Sequence, residues 1–185
     1  AACGLSMKSK GMLPRNTVVA TVMSNLGFHL YAKEQGMELE CTDVGDRNVL
    51  ERMVKQGYRL GGEQSGHMIF LEHATTGDGQ LTALQMLALL KESGKKASEL
   101  FGACPRYPQV LINIPVADND VKKAAMASPL LAQAIQREEE ALAGEGRVLV
   151  RPSGTEALMR VMVEAKTQET AQETARRLAD LIPAL

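Results

Sequence analysis

The chain has 185 residues with 21 basic and 22 acidic side chains, and its formal net charge of −1 lacks the basic excess of nucleic-acid-binding domains. Apolar residues make up 45% and charged residues 23%, which excludes wholesale disorder and allows one domain or two small ones. Aromatic residues are only 3%, with no Trp, so a bound sugar would be held mainly by hydrogen bonds.

The 185 residues contain no pattern that predicts a membrane span or an export signal. No apolar run approaches the roughly 20 residues of a membrane span, and no basic stretch followed by an apolar core opens the chain. Cys3, Cys41 and Cys104 are too dispersed for a disulfide framework or a zinc site. We therefore predict a cytoplasmic protein that binds neither membranes nor nucleic acid. The first ten residues read as a helix without an N-cap, which predicts a chain cut from a longer one.

The first half alternates strand and helix patterns. The predicted strands cover residues 16–23, 37–42 and 67–71. Helix N-caps are predicted at Ser24, Asp46 and Asp78, and Gly57 is predicted to end the second helix. This alternation predicts an α/β layer with a largely parallel sheet.

The second half begins after a linker between Pro105 and Pro108, so we predict two domains, 1–103 and 104–185. Its pattern is β–α–β–β–α, with a helix starting at Ser128-Pro129 and the acidic run 138–140 expected on a solvated helix face. The order predicts a small α+β domain with an antiparallel sheet.

The loop R-P-S-G-T-E at 151–156 lies between two predicted strands and is chemically suited to phosphate. Arg151 supplies bidentate donors, Ser153 and Thr155 supply hydroxyls, and Gly154 lets backbone N–H groups approach an anion. The alternative is a hairpin turn with an incidental surface arginine.

The loop at 61–67 surrounds Glu63, Ser65 and His67 with three glycines. A carboxylate accepts from sugar hydroxyls, and an imidazole can transfer a proton near neutral pH. The alternative is a flexible polar turn. The shorter loops at 44–47 and 75–79 are each explained first by helix capping.

Six motifs together resemble the C-terminal half of the bacterial phosphoglucosamine mutases, a branch of the α-D-phosphohexomutase superfamily. They are T-V-M-S-N-L-G at 21–27, V-G-D-R at 44–47, G-E-Q-S-G-H at 62–67, T-T-G-D-G at 75–79, R-P-S-G-T-E at 151–156 and M-R-V-M at 159–162. They occur in family order and cover almost the whole chain.

The resemblance implies the third α/β/α domain, incomplete at its start, followed by the fourth, C-terminal domain of that fold. It implies an intramolecular phosphotransferase that interconverts glucosamine 6-phosphate and glucosamine 1-phosphate through a phosphoserine and a bisphosphate intermediate, on the route to UDP-N-acetylglucosamine and the cell wall. It also implies that the full-length enzyme uses Mg²⁺ and binds phosphosugar substrates. The resemblance is compatible with a homodimer of the full-length protein.

Carried over by position, the resemblance places Gly45, Asp46, Glu63, Ser65 and His67 at the sugar, with His67 as a candidate for proton transfer. It places Arg151, Ser153, Gly154 and Thr155 on the phosphate that is not transferred.

The sequence departs from the family in two ways. The phosphoserine loop and the Asp-rich magnesium loop are not in these 185 residues, so we expect the metal ligands elsewhere and this chain alone to be inactive. Ala157 stands where the family usually has Pro, a change not expected to abolish phosphate binding. The alternatives are a sister mutase for phosphomannose or phosphoglucose, and a non-catalytic phosphosugar-binding module.

Overall fold

The computed structural model describes residues 1–184 and divides into two compact units, Ala1–Arg106 and Tyr107–Leu185. The division falls between Pro105 and Pro108. The first unit is an α/β layer and the second has an antiparallel sheet, which confirms the predicted fold class.

The sheet of the first unit has the order β2-β1-β3-β4. Its strands are β1 (Thr17–Thr21), β2 (Glu38–Thr42), β3 (Leu60–Gly62) and β4 (Met68–Phe70). Strand β1 pairs in parallel with β2 and β3, which confirms the largely parallel sheet. Strand β4 runs antiparallel to β3 because the connection between them is too short for a crossover.

Strand β1 is the centre of the first unit, and all five of its residues are buried. Successive side chains of a strand point to opposite faces, so Val18 and Val19 enter different cores. Val18 packs with Tyr31 and Leu60, whereas Val19 packs with Val49 and Met53. Helices therefore cover both faces of the sheet, as an α/β/α layer requires.

The helices of the first unit confirm most predicted boundaries and correct two caps. They are α1 (Ala2–Ser9), α2 (Leu26–Glu34), α3 (Asp46–Gln56), α4 (Gly79–Ser93) and α5 (Ala97–Phe101), with a 3-10 turn at Pro14–Asn16. Asp78 caps α4 as predicted, since its Oδ1 accepts from the N–H groups of Gln80 and Leu81 at 2.8 and 2.9 Å. Gly57 ends α3 in the left-handed conformation, also as predicted.

Two predicted caps are wrong by one residue. Asn25, not Ser24, caps α2, with its Oδ1 accepting from the Gly27 N–H at 3.0 Å. Gly45, not Asp46, holds the N-cap position of α3, with a φ of 123° that a residue with a side chain rarely adopts. Asp46 is instead the first residue of the helix, where a carboxylate is favoured by the helix dipole.

The second unit is a three-stranded antiparallel sheet of order β5-β7-β6. Its elements are β5 (Gln109–Pro115), α6 (Asn119–Ala127), α7 (Pro129–Leu142), β6 (Gly146–Pro152), β7 (Leu158–Ala165), α8 (Gln168–Leu181) and a 3-10 turn at Ile182–Ala184. Helix α7 starts at Pro129 as predicted, but α6 was not predicted. Val161 and Val163 of β7 pack in one core with Ala171, Ala175 and Leu178 of α8.

The acidic run on α7 is not wholly solvated. Glu138 is buried, and its two carboxylate oxygens accept from Nε and Nη2 of Arg177 on α8 at 3.0 and 2.7 Å. The expected solvated face is therefore wrong at Glu138, because α8 brings a guanidinium to it. Of the helices in residues 1–184, none combines the length and the hydropathy that crossing a membrane requires.

Candidate functional site

Three polar segments of the first unit follow the carboxyl ends of three neighbouring strands. The segments are residues 22–25 after β1, 43–47 after β2 and 63–67 after β3. Because these strands run parallel, their carboxyl ends lie at one edge of the sheet. Open α/β sheets bind their ligands at this edge.

One hydrogen bond joins two of these segments. The Gly45 N–H donates to Glu63 Oε1 at 2.9 Å. Asp46 follows Gly45 directly and is exposed, with its Oδ1 accepting from the Arg47 N–H at 2.8 Å. The structure thus brings Gly45, Asp46 and Glu63 together at the carboxyl edge of the sheet.

The turn between β3 and β4 presents the other two polar side chains. Glu63 N–H donates to His67 O at 2.9 Å, and a Cβ at Gly62 would lie 2.6 Å from that same oxygen, so only glycine fits there. Ser65 Oγ and His67 Nδ1 lie 3.3 Å apart, and both residues are exposed. The turn therefore offers a hydroxyl and an imidazole side by side to solvent.

The loop at 75–79 packs against the ring of His67. A Cβ at Gly77 would lie 3.1 Å from His67 Cδ2, so the backbone of the loop lies against the imidazole ring. Asp78 in the same loop caps α4, and the capping interpretation of this motif is therefore confirmed.

A cavity of about 380 Å³ opens at the same edge of the sheet. Ser24, Asn25, Glu63 and Gln64 contribute its polar lining, and Val18, Phe28, Leu60 and Met68 are among its apolar residues. Its volume is within the range of small-molecule sites, and its few polar groups among apolar ones are typical of such sites.

The turn between β6 and β7 in the second unit is shaped by Ser153. This residue is 4% exposed, its N–H donates to Leu158 O at 2.9 Å, and its Oγ accepts from the Glu156 N–H at 3.3 Å. Gly154 and Thr155 are exposed, and among residues 1–184 their N–H groups have no acceptor. Two backbone donors at the tip of the turn are thus open to a ligand.

Two arginines flank this turn. Arg151 on β6 lies directly opposite Arg160 on β7 in the strand register. Arg160 Nη2 donates to Glu156 Oε2 at 2.6 Å, while its buried Nε has no hydrogen-bond partner within the described part of the chain. Like charges at opposed positions of a sheet are destabilising, and an anion bound beside them would relieve that repulsion.

No role for Arg160 could be predicted from the sequence. Its position within M-R-V-M was noted, but its pairing with Arg151 depends on the register of the hairpin. The sequence did contain a pattern that could have indicated the pairing. An Arg at the end of one strand and an Arg early in the next can lie opposite each other across a short turn.

A magnesium site does not fit the residues present. Within residues 1–184, no three or more His, Cys, Asp and Glu side chains group closely enough to hold a metal ion. The expectation that the metal ligands lie in another part of a longer protein stays a prediction.

Comparison with known families accounts for both units. Residues 1–107 match the model described as "Phosphoglucomutase/phosphomannomutase, alpha/beta/alpha domain III", and residues 111–181 match "Phosphoglucomutase/phosphomannomutase, C-terminal domain". The chain belongs to the phosphoglucomutase/phosphomannomutase family. This confirms the resemblance seen in the motifs, including the assignment of the two units to the third and fourth domains of the family fold.

Relatives within the phosphoglucomutase/phosphomannomutase family are named phosphoglucosamine mutase. The protein of Pelotomaculum thermopropionicum is 55% identical over 180 residues, covering 97% of this chain and 40% of the relative. That of Thermoanaerobacter sp. (strain X514) is 54% identical over 182 residues, again covering 40% of the relative. The chain thus spans about two fifths of the length of these family members.

Solved structures share the fold of this chain. An Aspergillus fumigatus N-acetylphosphoglucosamine mutase superposes with a TM-score of 0.81 at 21% identity, covering 99% of this chain and 42% of the other. A second structure of that enzyme, in complex with GlcNAc-6P and magnesium, gives a TM-score of 0.78 at 21% identity and covers 98% of this chain and 44% of the other.

Proposed function

We propose that this chain forms the sugar- and phosphate-binding part of a phosphoglucosamine mutase, which interconverts glucosamine 6-phosphate and glucosamine 1-phosphate. The strongest support is identity above 50% to proteins of that name over nearly the whole chain. The polar groups at the two sites are of the kinds that a sugar phosphate requires.

Each group has a separate task in this proposal. Glu63 accepts hydrogen bonds from ring hydroxyls while its Oε1 also accepts from the Gly45 N–H, next to Asp46 in the chain. Ser65 and His67 donate to or accept from neighbouring hydroxyls. Arg151 and Arg160, together with the Gly154 and Thr155 N–H groups, bind the phosphate that is not transferred; the buried Ser153 shapes their turn. Phosphoryl transfer depends mainly on positioning and charge stabilisation, and a grip on the inert phosphate supplies the positioning.

The chemical step itself belongs to the longer protein in this proposal. We expect the phosphoserine loop and the magnesium loop to come from the part that the relatives have and this chain does not span. The 185-residue chain should therefore bind glucosamine phosphates without interconverting them. A cytoplasmic location and a homodimer of the full-length protein stay predictions.

A chimera tests the proposal directly. This chain replaces the corresponding 40% of the Pelotomaculum relative, and steady-state rates are measured on glucosamine 6-phosphate, mannose 6-phosphate and glucose 6-phosphate. Preference for glucosamine 6-phosphate supports the proposal, and preference for mannose or glucose phosphate favours a sister mutase. A soluble, folded chimera that is inactive on all three would reject the enzymatic assignment and favour the binding module.

A further inference from the structure

A buried lysine lies beneath the phosphate-binding turn. Lys122 on α6 is 7% exposed, and its Nζ donates to Ser153 O at 2.9 Å and to Glu156 O at 2.5 Å. These two carbonyls bracket the tip of the turn, at Gly154 and Thr155. Lys122 therefore ties both ends of the turn to one helix.

The partners of this ammonium are neutral. Within the described residues, no carboxylate forms an ion pair with Lys122, although its neighbour Lys123 pairs with Asp120 at 3.3 Å. A buried charge is costly unless it is paired or fully hydrogen-bonded, and two carbonyl oxygens leave a net positive charge in place. That charge is next to the turn whose flanking strands have Arg151 and Arg160 at opposed positions.

The contact with Ser153 O also sets the direction of a donor. In a trans peptide the C=O of one residue and the N–H of the next point in opposite directions. Because Ser153 O is held toward Lys122, the Gly154 N–H points away from Lys122, to the open side of the turn. A turn without this anchor would be free to rotate that peptide.

We propose that Lys122 is a positioning residue for anion binding. It fixes the Gly154 N–H toward the bound phosphate and adds a positive charge beneath the turn. This inference rests on the proposed function of the turn, and it assigns a role to a residue outside every motif of the sequence.

The test titrates the 185-residue chain with inorganic phosphate and follows the backbone amides of Gly154 and Thr155 by NMR. We expect Lys122→Met to weaken phosphate binding by about tenfold or more. The substitution removes the positive charge beneath the turn and the two charge-assisted hydrogen bonds that hold its carbonyl groups. Lys122→Arg, which keeps charge and donors, should restore most of the affinity. Lys123→Met is the matched control and should bind phosphate as the wild type does.

A second measurement needs no variant. The side-chain ammonium of Lys122 in the wild-type chain should be protected from solvent exchange, and its resonance should shift as phosphate is added. Wild-type affinity in a folded Lys122→Met chain, or a Lys122 ammonium unmoved by saturating phosphate, would overturn the inference and leave the assigned turn intact. Absence of any response at Gly154 and Thr155 in the wild type would overturn the assignment of the turn and this inference with it.

Discussion

Arg151 and Arg160 lie directly opposite one another on neighbouring strands, on the two sides of the turn that joins β6 and β7. Like charges directly opposite one another on neighbouring strands destabilise a sheet. Glu156 compensates Arg160 in part, through a 2.6 Å ion pair whose carboxylate is more than half exposed. A bound anion beside the two arginines would relieve their mutual repulsion.

Substituting either arginine should weaken anion binding. We expect Arg151→Ala and Arg160→Ala each to cost about 1.5–3 kcal/mol of phosphate binding free energy, the range for hydrogen bonds to charged groups. The measurement is the rise in melting temperature of the 185-residue chain with added phosphate, which depends on the affinity. Arg176→Ala, at an exposed position of α8, serves as the control. A full phosphate response in both test variants would contradict the assigned role.

Gly154 offers a way to separate folding from binding. A Cβ at this position would meet no atom within 4 Å, so Gly154→Ala should change the free energy of unfolding by less than about 0.5 kcal/mol. The added methyl group would occupy the space in front of the turn, and we expect phosphate affinity to fall by about tenfold, a loss of about 1.4 kcal/mol.

The opposite pattern is expected at Gly144, which has a φ of +79° and equally open surroundings. Gly144→Ala should lower stability by about 1 kcal/mol because alanine disfavours that backbone conformation, and it should leave phosphate affinity unchanged. Chemical denaturation and phosphate titration of both variants provide the measurements. Equal phosphate affinity in the Gly154→Ala and wild-type chains would argue against an anion in front of the turn.

Glu63 combines a structural contact with a proposed sugar contact, and two variants separate them. Glu63→Gln keeps an amide oxygen that can accept from the Gly45 N–H but removes the charge, so the loop should hold its shape while binding of glucosamine 6-phosphate weakens by about tenfold. Glu63→Ala should in addition shift the Gly45 amide resonance, because its acceptor is gone. Glu34→Gln, on the exposed part of α2, is the control. If Glu63→Gln bound the sugar phosphate as tightly as the wild type, the Glu63 charge would have no role in sugar binding, and only its contact with Gly45 would remain.

The ion pair between Glu138 and Arg177 predicts an acid-dependent loss of stability. Hydrogen bonds from Arg177 hold the pKa of the Glu138 carboxyl below its usual range. A carboxyl whose pKa is lower when folded stabilises the protein above its unfolded pKa of about 4.3, and this stabilisation is lost as the pH falls through the folded pKa.

We expect Glu138→Gln to lower the free energy of unfolding at pH 7 by about 1–2 kcal/mol, a modest figure because the Arg177 side chain is half exposed and screened by solvent. Denaturation curves between pH 7 and pH 3 should show a smaller decline for this variant than for the wild type. Glu139→Gln, in the same acidic run but exposed, should follow the wild-type curve. If stability declined equally with pH in Glu138→Gln and the wild type, the ion pair would not be the cause of the acid-dependent loss of stability.

The sequence predicted the elements whose residue patterns are strong. The β-branched run of β1 and the Ser128-Pro129 start of α7 were both predicted, because burial and backbone preference agree there. Helix α6 was missed because its sequence, N-D-V-K-K-A-A-M-A, has no long apolar stripe. The predicted cap at Ser24 failed because Asn25, equally suitable chemically, is the next residue.

The candidate site shows a sharper limit. Residue types indicated which loops could contact a sugar phosphate, but not which side chain would turn inward. Ser153 was predicted as a phosphate donor, and the structure gives its hydroxyl a bond within the turn, so its contact with phosphate stays a prediction. Lys122 and Arg160 depend on which elements meet in space, information that no single stretch of sequence carries.

The segments at the carboxyl edge of the first sheet lie outside its buried strand ladder. Val19 and Thr21 of the ladder are fully buried, whereas Ser65 and His67 project into solvent and contribute little to the core. Substitutions at these two exposed positions should therefore cost little folding free energy. The ligand preference of such a chain can therefore change during evolution while its fold stays the same.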